Sequence, residues 1–148
     1  MSRPVTPANT GARDSNDDRL RTLVTRIAAG DRAAFRTVYA FLAIRVWRDA
    51  VRLLPPDDAR AVTRSTFVEV WHLAGHHLDH DARETRAWIQ AITARHIEDR
   101  ARPVNGGRLL QRDYDRHTQR ELISLLGAGG ATIRTSPAAF TRVAGFVP

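Results

Sequence analysis

The sequence predicts an all-α protein: a helical bundle of about four helices with a possible fifth helix and an irregular C-terminal tail. Three observations support this fold class. Apolar residues recur at steps of three and four over most of the chain, which is the periodicity of amphipathic helices. Glycine, proline and aspartate stand where one periodic segment ends and the next begins. The 148 residues, 43% of them hydrophobic, are enough to form one domain with a core.

The N-terminal segment contrasts with the periodic part of the chain. Residues 1–16 are rich in Pro, Thr, Ser, Asn and Gly, which predicts a disordered tail. The folded domain is expected over residues 17–102, and its first helix begins near Asp17 or Asp18. Gly30 ends that helix, and Asp31 caps the next one. The apolar face of the first helix consists of Leu20, Leu23, Val24 and Ile27.

Two long helices are predicted next. The second helix keeps its apolar stripe until Pro55-Pro56 stops it. Asp57 and Asp58 then place negative charge at the start of the third helix, where the helix dipole favours acids. Gly75 is expected to end the third helix. The stripe of the second helix is Phe35, Val38, Tyr39, Leu42, Val46, Trp47, Val51 and Leu54, and that of the third is Ala59, Val62, Thr66, Phe67, Val70, Trp71 and Ala74.

The remaining elements are a loop, a fourth helix and a C-terminal extension. The polar stretch from His76 to Asp81 predicts a loop. A fourth helix is expected from about Arg83 to Ala101, with Trp88, Ala91 and Ile92 facing inward and a proline and glycine-rich segment closing it. The extension, residues 103–148, is expected to hold a helix at about 108–126 and then an irregular tail.

Composition restricts the classes of function. The formal net charge is +7, and all 23 basic residues are arginine. A basic excess favours nucleic acid as a partner. The absence of cysteine excludes disulfides and thiolate metal sites. The N-terminus carries no apolar signal region, and no apolar run approaches the roughly 18 residues that span a bilayer. These features predict a cytoplasmic protein with no membrane partner.

Three stretches carry a family resemblance when they are taken together. They are LVTRIAAGDRAAFRTVY at residues 23–39, TFVEVW at residues 66–71 and RAWIQAITARHIEDRAR at residues 86–102. In this order and at these separations they resemble region 2 of extracytoplasmic-function sigma factors. The matching positions are Gly30, Asp31, Ala34, Phe35, Tyr39, Phe67, Trp71, Ala87, Trp88, Ile89, Ile92, Asp99, Arg100 and Arg102.

The resemblance implies two partners, promoter DNA and core RNA polymerase. Region 2 of the family docks on the clamp helices of the polymerase β′ subunit and holds flipped bases of the promoter −10 element, in a pocket between its third and fourth helices. Carried over, the implied DNA-binding residues are His76, His77, His80, Arg83, Arg86, Arg95, His96, Arg100 and Arg102. The implied polymerase-binding residues are Arg60, Thr63, Arg64 and Phe67.

A second hypothesis is a protein-interaction module. Arg60 and Arg64 stand where the family carries acidic and amide side chains, and no region 4 follows residue 102. Such a module would bind an anti-sigma factor or another regulator without recognising promoters. A third hypothesis, an enzyme accessory or small hydrolase, has no supporting catalytic constellation. We therefore expect no enzyme, cofactor or small-molecule substrate. His72 and His76, four residues apart, could share a metal, but a polar loop explains them more simply and we expect no metal.

Overall fold

The computed structural model describes residues 8–102 and 107–127. These residues form five helices and no strand, so the predicted all-α fold class is confirmed. The helices are joined by short connections. Their bounds are α1 Ala8–Ala28, α2 Arg32–Val51, α3 Pro56–His80, α4 Thr85–Ala101 and α5 Arg108–Gly127.

Helix α1 begins at Ala8, well before Asp17 or Asp18, so a disordered tail up to residue 16 was wrong for residues 8–16. The side chains of residues 11–16 are exposed. They therefore leave no apolar pattern from which the extra turns could be predicted. The first core residue of α1 is Leu20. The rest of the predicted N-terminal tail, and the irregular tail after Gly127, lie outside the described residues.

The junction between α1 and α2 matches its prediction. Gly30 adopts a φ of 88°, the left-handed conformation that glycine accepts without a steric penalty. The Gly30 amide donates to the Ile27 carbonyl at 2.8 Å, and the Asp31 amide donates to the Arg26 carbonyl at 3.0 Å. This pair of bonds is a Schellman motif. The Asp31 carboxylate then accepts from the Ala34 amide at 3.1 Å and caps α2.

The junction between α2 and α3 depends on the two consecutive prolines. Helix α2 ends at Val51, and a short turn leads to Pro55, the N-cap residue of α3. Pro56 occupies the first helical position, where its missing N–H has no intrahelical partner to lose. Asp57 and Asp58 lie in the first turn of α3, as predicted.

Helices α2 and α3 form the centre of the bundle, and each contacts the other four helices. Two aromatic pairs pack edge to face between these helices. The ring centroids of Phe35 and Trp71 are 5.6 Å apart, and those of Tyr39 and Phe67 are 4.9 Å apart. A second, smaller apolar cluster forms where the end of α2 meets the start of α3 and the end of α4. It contains Ala50, Leu54, Ala59, Val62 and Ile97, with Trp47 and Val51 against it.

Helix α5 belongs to the same core as the other helices. Leu122 and Leu125 are buried in the main apolar cluster, and α5 packs against α2 and α3. The first turns of α5 differ, because Leu109, Leu110 and Tyr114 are exposed. Within the described residues, no helix combines the length and apolar composition needed to cross a bilayer.

Candidate nucleic-acid interface

The predicted loop between the third and fourth helices is shorter than expected. Helix α3 continues through Gly75 and ends at His80, so the connection consists of residues 81–84. The apolar stripe of α3 does not stop at Ala74, because His77 and Leu78 extend it onto the core and support another turn of helix. The prediction that Gly75 ends the helix was therefore wrong, and the three histidines lie on α3 rather than in a loop.

His77 is a core residue, which contradicts its predicted contact with DNA. Its side chain is 1% exposed and stacks on Trp88, with ring centroids 4.2 Å apart and an interplanar angle of 8°. Its Nε2 lies 3.3 Å from the Thr85 hydroxyl. Its Nδ1 has no hydrogen-bond partner and lies 3.9 Å from the Asp81 carboxylate. His77 therefore fastens the end of α3 to the start of α4 and cannot reach a nucleic acid.

Burial and charge act in opposite directions on His77. Burial disfavours the imidazolium and lowers the pKa of His77, whereas the nearby Asp81 carboxylate raises it. The positive charges of Arg21 and Arg83 add to the lowering, and the net direction is downward. The Asp81 carboxylate itself accepts from the Arg83 amide and guanidinium, which holds the pKa of Asp81 below its usual value.

The other two histidines of this region stay near the surface. His76 and His80 are one helical turn apart and stack on each other, with ring centroids at 4.7 Å. His76 and His80 are both exposed. Among the described residues, no three His, Asp or Glu side chains come close enough together to hold a metal ion.

The predicted arginines of α4 do not share one face. Arg86 Nε lies 3.3 Å from an oxygen of Asp17 on α1. Arg95, in contrast, pairs with Glu69 on α3. The bundle therefore points these two guanidinium groups toward different neighbouring helices.

Glu69 organises the α3-facing side of α4. Its carboxylate accepts from His96 Nε2 at 3.1 Å and pairs with Arg95. Burial opposes the charge of Glu69, but the hydrogen bonds from His96 and Arg95 outweigh it and hold the pKa of Glu69 below its usual value. His96 is thereby occupied by an intramolecular partner, whereas Arg95 keeps about half of its side chain exposed.

Arg100 is a structural residue, not a free DNA ligand. Its Nε donates to Asp58 at 2.9 Å, and its two terminal nitrogens donate to Asp115 at 2.9 and 2.7 Å. Asp115 and Asp58 outweigh the effect of burial and raise the pKa of Arg100. Only 16% of the side chain is exposed, so the prediction that Arg100 follows a DNA strand is corrected. Arg102, just beyond the helix, is exposed.

Two of the four predicted polymerase-binding residues are buried. Thr63 and Phe67 have no exposed surface. The Thr63 hydroxyl donates to the Ala59 carbonyl at 2.8 Å, and the Phe67 ring packs edge-on against Tyr39. These residues occupy inward-facing positions of α3, so their predicted contact with polymerase is corrected as well.

The other two, Arg60 and Arg64, lie one turn apart at the partly exposed edge of α3. Arg60 Nε has no hydrogen-bond partner, and a terminal nitrogen of Arg60 lies 3.5 Å from the exposed Asp57. Burial and then the charge of Arg60 lower the pKa of Arg64. No ion pair involving Arg64 is present among the described residues. This pair of guanidiniums therefore retains unused hydrogen-bond donors.

A shallow groove between α2 and α4 was not predicted from the sequence. Its lining combines the buried apolar side chains of Leu42, Val46 and Ile89 with one arginine from each helix. Thr93, another lining residue, donates its hydroxyl to the Ile89 carbonyl at 3.0 Å. The lining residues are Leu42, Arg45, Val46, Asp49, Arg86, Ile89, Gln90 and Thr93.

The described residues thus define the class of protein as a basic, all-helical bundle with a charged groove between α2 and α4. No protein-family model, curated protein or solved structure matches this chain. The function therefore has to be argued from the residues and their geometry.

Proposed function

We propose that this chain is a sigma region 2-like transcription protein that binds promoter −10 DNA, core RNA polymerase or both. The family resemblance of residues 18–102 motivates the proposal. The supporting observation is the groove between α2 and α4, whose lining combines apolar side chains with Arg45 and Arg86. An unstacked base needs an apolar surface for its face and a cation for its phosphate. Exposed Gln90 adds an amide that can hydrogen-bond a base edge.

The groove differs from the site that the resemblance implied. Arg86 is common to both, but His77 and Arg100 are replaced by Arg45 and Gln90. The corner between α3 and α4 is a poorer site for a polyanion, because three acids, Asp79, Asp81 and Glu84, surround its arginines in the sequence, whereas the groove lining contains one acid, Asp49. The groove is therefore the better candidate for the DNA strand.

Binding of a single-stranded −10-like oligonucleotide tests this proposal. We expect fluorescence anisotropy to show binding that weakens with salt. In a plot of log affinity against log salt concentration, each phosphate contact should contribute about −0.7 to the slope. Arg86→Ala should remove one such contact and weaken binding about fivefold at 0.1 M salt. Arg116→Ala on α5 is the control, since it removes the same charge away from the groove. Absent or salt-independent binding would exclude the DNA function.

A second function, a protein-interaction module, is favoured by Arg60 and Arg64. Their partly buried, unused donors suit the carboxylates of an acidic partner protein. A basic partner surface, such as the one that the resembled family meets on polymerase, would be repelled.

A pull-down with core polymerase separates the two functions. Retention of core polymerase supports the first. If core polymerase is not retained and an acidic regulator binds stoichiometrically, losing affinity in Arg60→Glu/Arg64→Glu, the second function holds.

A further inference from the structure

Helix α2 carries an exposed surface that neither the family resemblance nor the groove explains. Phe41, Arg45, Arg48 and Arg52 follow one another at steps of four, three and four, so they form one stripe along the helix. We call these four residues the α2 stripe. Arg45 belongs both to the α2 stripe and to the lining of the groove, so the two features are continuous.

The three arginines of the α2 stripe are exposed, and none of them forms an ion pair within residues 8–102 and 107–127. This sets them apart from Arg86, Arg95 and Arg100, which all have carboxylate partners. Asp49 is the only acid within α2, and it lines the groove rather than neutralising the α2 stripe through an ion pair. The α2 stripe is therefore a row of three arginines without a paired carboxylate, near a single acid, and it fits an anionic partner.

Phe41 indicates the kind of anion. Its ring is 60% exposed at the N-terminal end of the row. A polyanion that also offers flat apolar faces would use both the cations and the ring, and single-stranded nucleic acid has this combination. From Arg45 to Arg52 the helix rises about 10 Å, which orders the three guanidiniums along a line that a phosphate backbone can follow.

We propose that the α2 stripe binds the sugar–phosphate backbone of single-stranded DNA as the strand leaves the groove, with one base stacked on Phe41. This inference rests on the proposed DNA function. It adds a backbone-binding surface on α2, where the resemblance implied contacts from α4. The contacts are independent of base sequence, because phosphates carry no sequence information and every base has a face that can stack.

The full-length chain with paired charge variants tests the α2 stripe. Arg48→Gln/Arg52→Gln leaves the groove residue Arg45 intact and removes two cations. The matched control is Arg112→Gln/Arg120→Gln on α5, since these arginines are also exposed and unpaired among the described residues. An anisotropy titration with a −10-like single strand measures the effect. For the α2 variant, the slope of log affinity against log salt should become shallower by about 1.4, and the affinity should fall about 25-fold at 0.1 M salt. The control should stay within about twofold of the wild type.

A second variant pair tests the aromatic contact. Phe41→Ala should weaken binding about tenfold for strands of any sequence, the effect of one stacked base, and Phe41→Trp should retain it. Melting temperatures of all variants report whether the fold is intact.

Each outcome separates the inference from the proposed function. Equal losses in the α2 and α5 charge variants would show general charge attraction and overturn the α2 stripe, while DNA binding itself stands. Normal DNA binding by the α2 variant, with loss of an acidic protein partner instead, would also overturn it. A wild-type chain that binds no DNA would overturn both proposals.

Discussion

At the scale of single residues, the environment of a side chain decides its role more than its chemical type does. His77 and His80 are both histidines near the end of α3, yet one is sealed against Trp88 and the other is exposed. Arg100 and Arg102 differ in the same way, since only Arg100 is tied to two aspartates. In each pair, one residue is engaged by neighbours within the bundle and the other is exposed to solvent.

The lowered pKa of His77 predicts a stability that depends on pH. The folded protein binds a proton at His77 more weakly than the unfolded chain does. Its contribution to stability is therefore complete above about pH 6.5, the unfolded value, and is lost as the pH falls toward the lowered folded pKa. We expect urea unfolding to show that the free energy of unfolding falls between pH 6.5 and 5.5, because the unfolded chain takes up a proton at His77 more readily than the folded protein does.

The matched variant for this prediction is His77→Phe, which keeps a ring stacked on Trp88 and removes the titrating group. It should show a smaller loss over the same pH interval. Glu69 and Asp81, whose pKa values are lowered, lose their contributions only in more acidic solution. Identical pH profiles for the two proteins would show that His77 does not control stability in this range.

At the scale of the helices, a few polar links hold elements that are not otherwise in contact. Helices α4 and α5 do not approach each other closely along their described backbones. The bidentate bond from Arg100 to Asp115 joins them, and the bond to Asp58 adds the first turn of α3. One guanidinium therefore sets the position of three helices at this end of the bundle.

Removing that guanidinium should loosen α5. Arg100→Gln leaves Asp58 and Asp115 without their shared cation, and we expect the free energy of unfolding to fall by about 2 kcal/mol. Hydrogen exchange of the α5 amides should increase selectively. Arg102→Gln, an exposed neighbour with the same charge, should change stability by less than about 0.5 kcal/mol. Similar effects of the two substitutions would show that Arg100 is not a structural link.

At the scale of the whole molecule, α5 completes the core of the bundle. Leu122 and Leu125 are buried in the main apolar cluster, and Trp71 and Leu126 pack against it. The domain expected from the sequence ends at residue 102, so its predicted boundary differs from that of the hydrophobic core. The bundle is therefore expected to depend on α5 for its stability.

Ending the chain at Arg102 tests this dependence. Loss of two buried leucines should lower the free energy of unfolding by about 4 kcal/mol. This is a large part of the total free energy of unfolding of a typical domain, which is about 5–15 kcal/mol. In the full chain, Leu125→Ala should cost about 3 kcal/mol, and the half-exposed Ile123→Ala should cost less than about 1 kcal/mol. Urea unfolding measures all three. An unchanged midpoint in the shortened chain would show that α5 is not part of the folding unit.

The sequence by itself determined the all-α class, the Gly30–Asp31 junction and the proline stop before α3. These features depend on neighbouring residues, because caps, turns and helical periodicity act over one or two turns. It failed where no local pattern existed. Residues 11–16 of α1 are exposed and form no apolar stripe, and Gly75 lies within a stripe that continues through His77.

Only the tertiary structure decided which charged residues are free. Arg100 and Arg48 look alike in sequence, but Asp115 and Asp58 come from distant segments to neutralise Arg100, while Arg48 meets no carboxylate among the described residues. The groove between α2 and α4 arises in the same way, from helices whose lining residues are about 40 positions apart in sequence. Pairing and enclosure depend on distances in space, which a one-dimensional pattern does not contain.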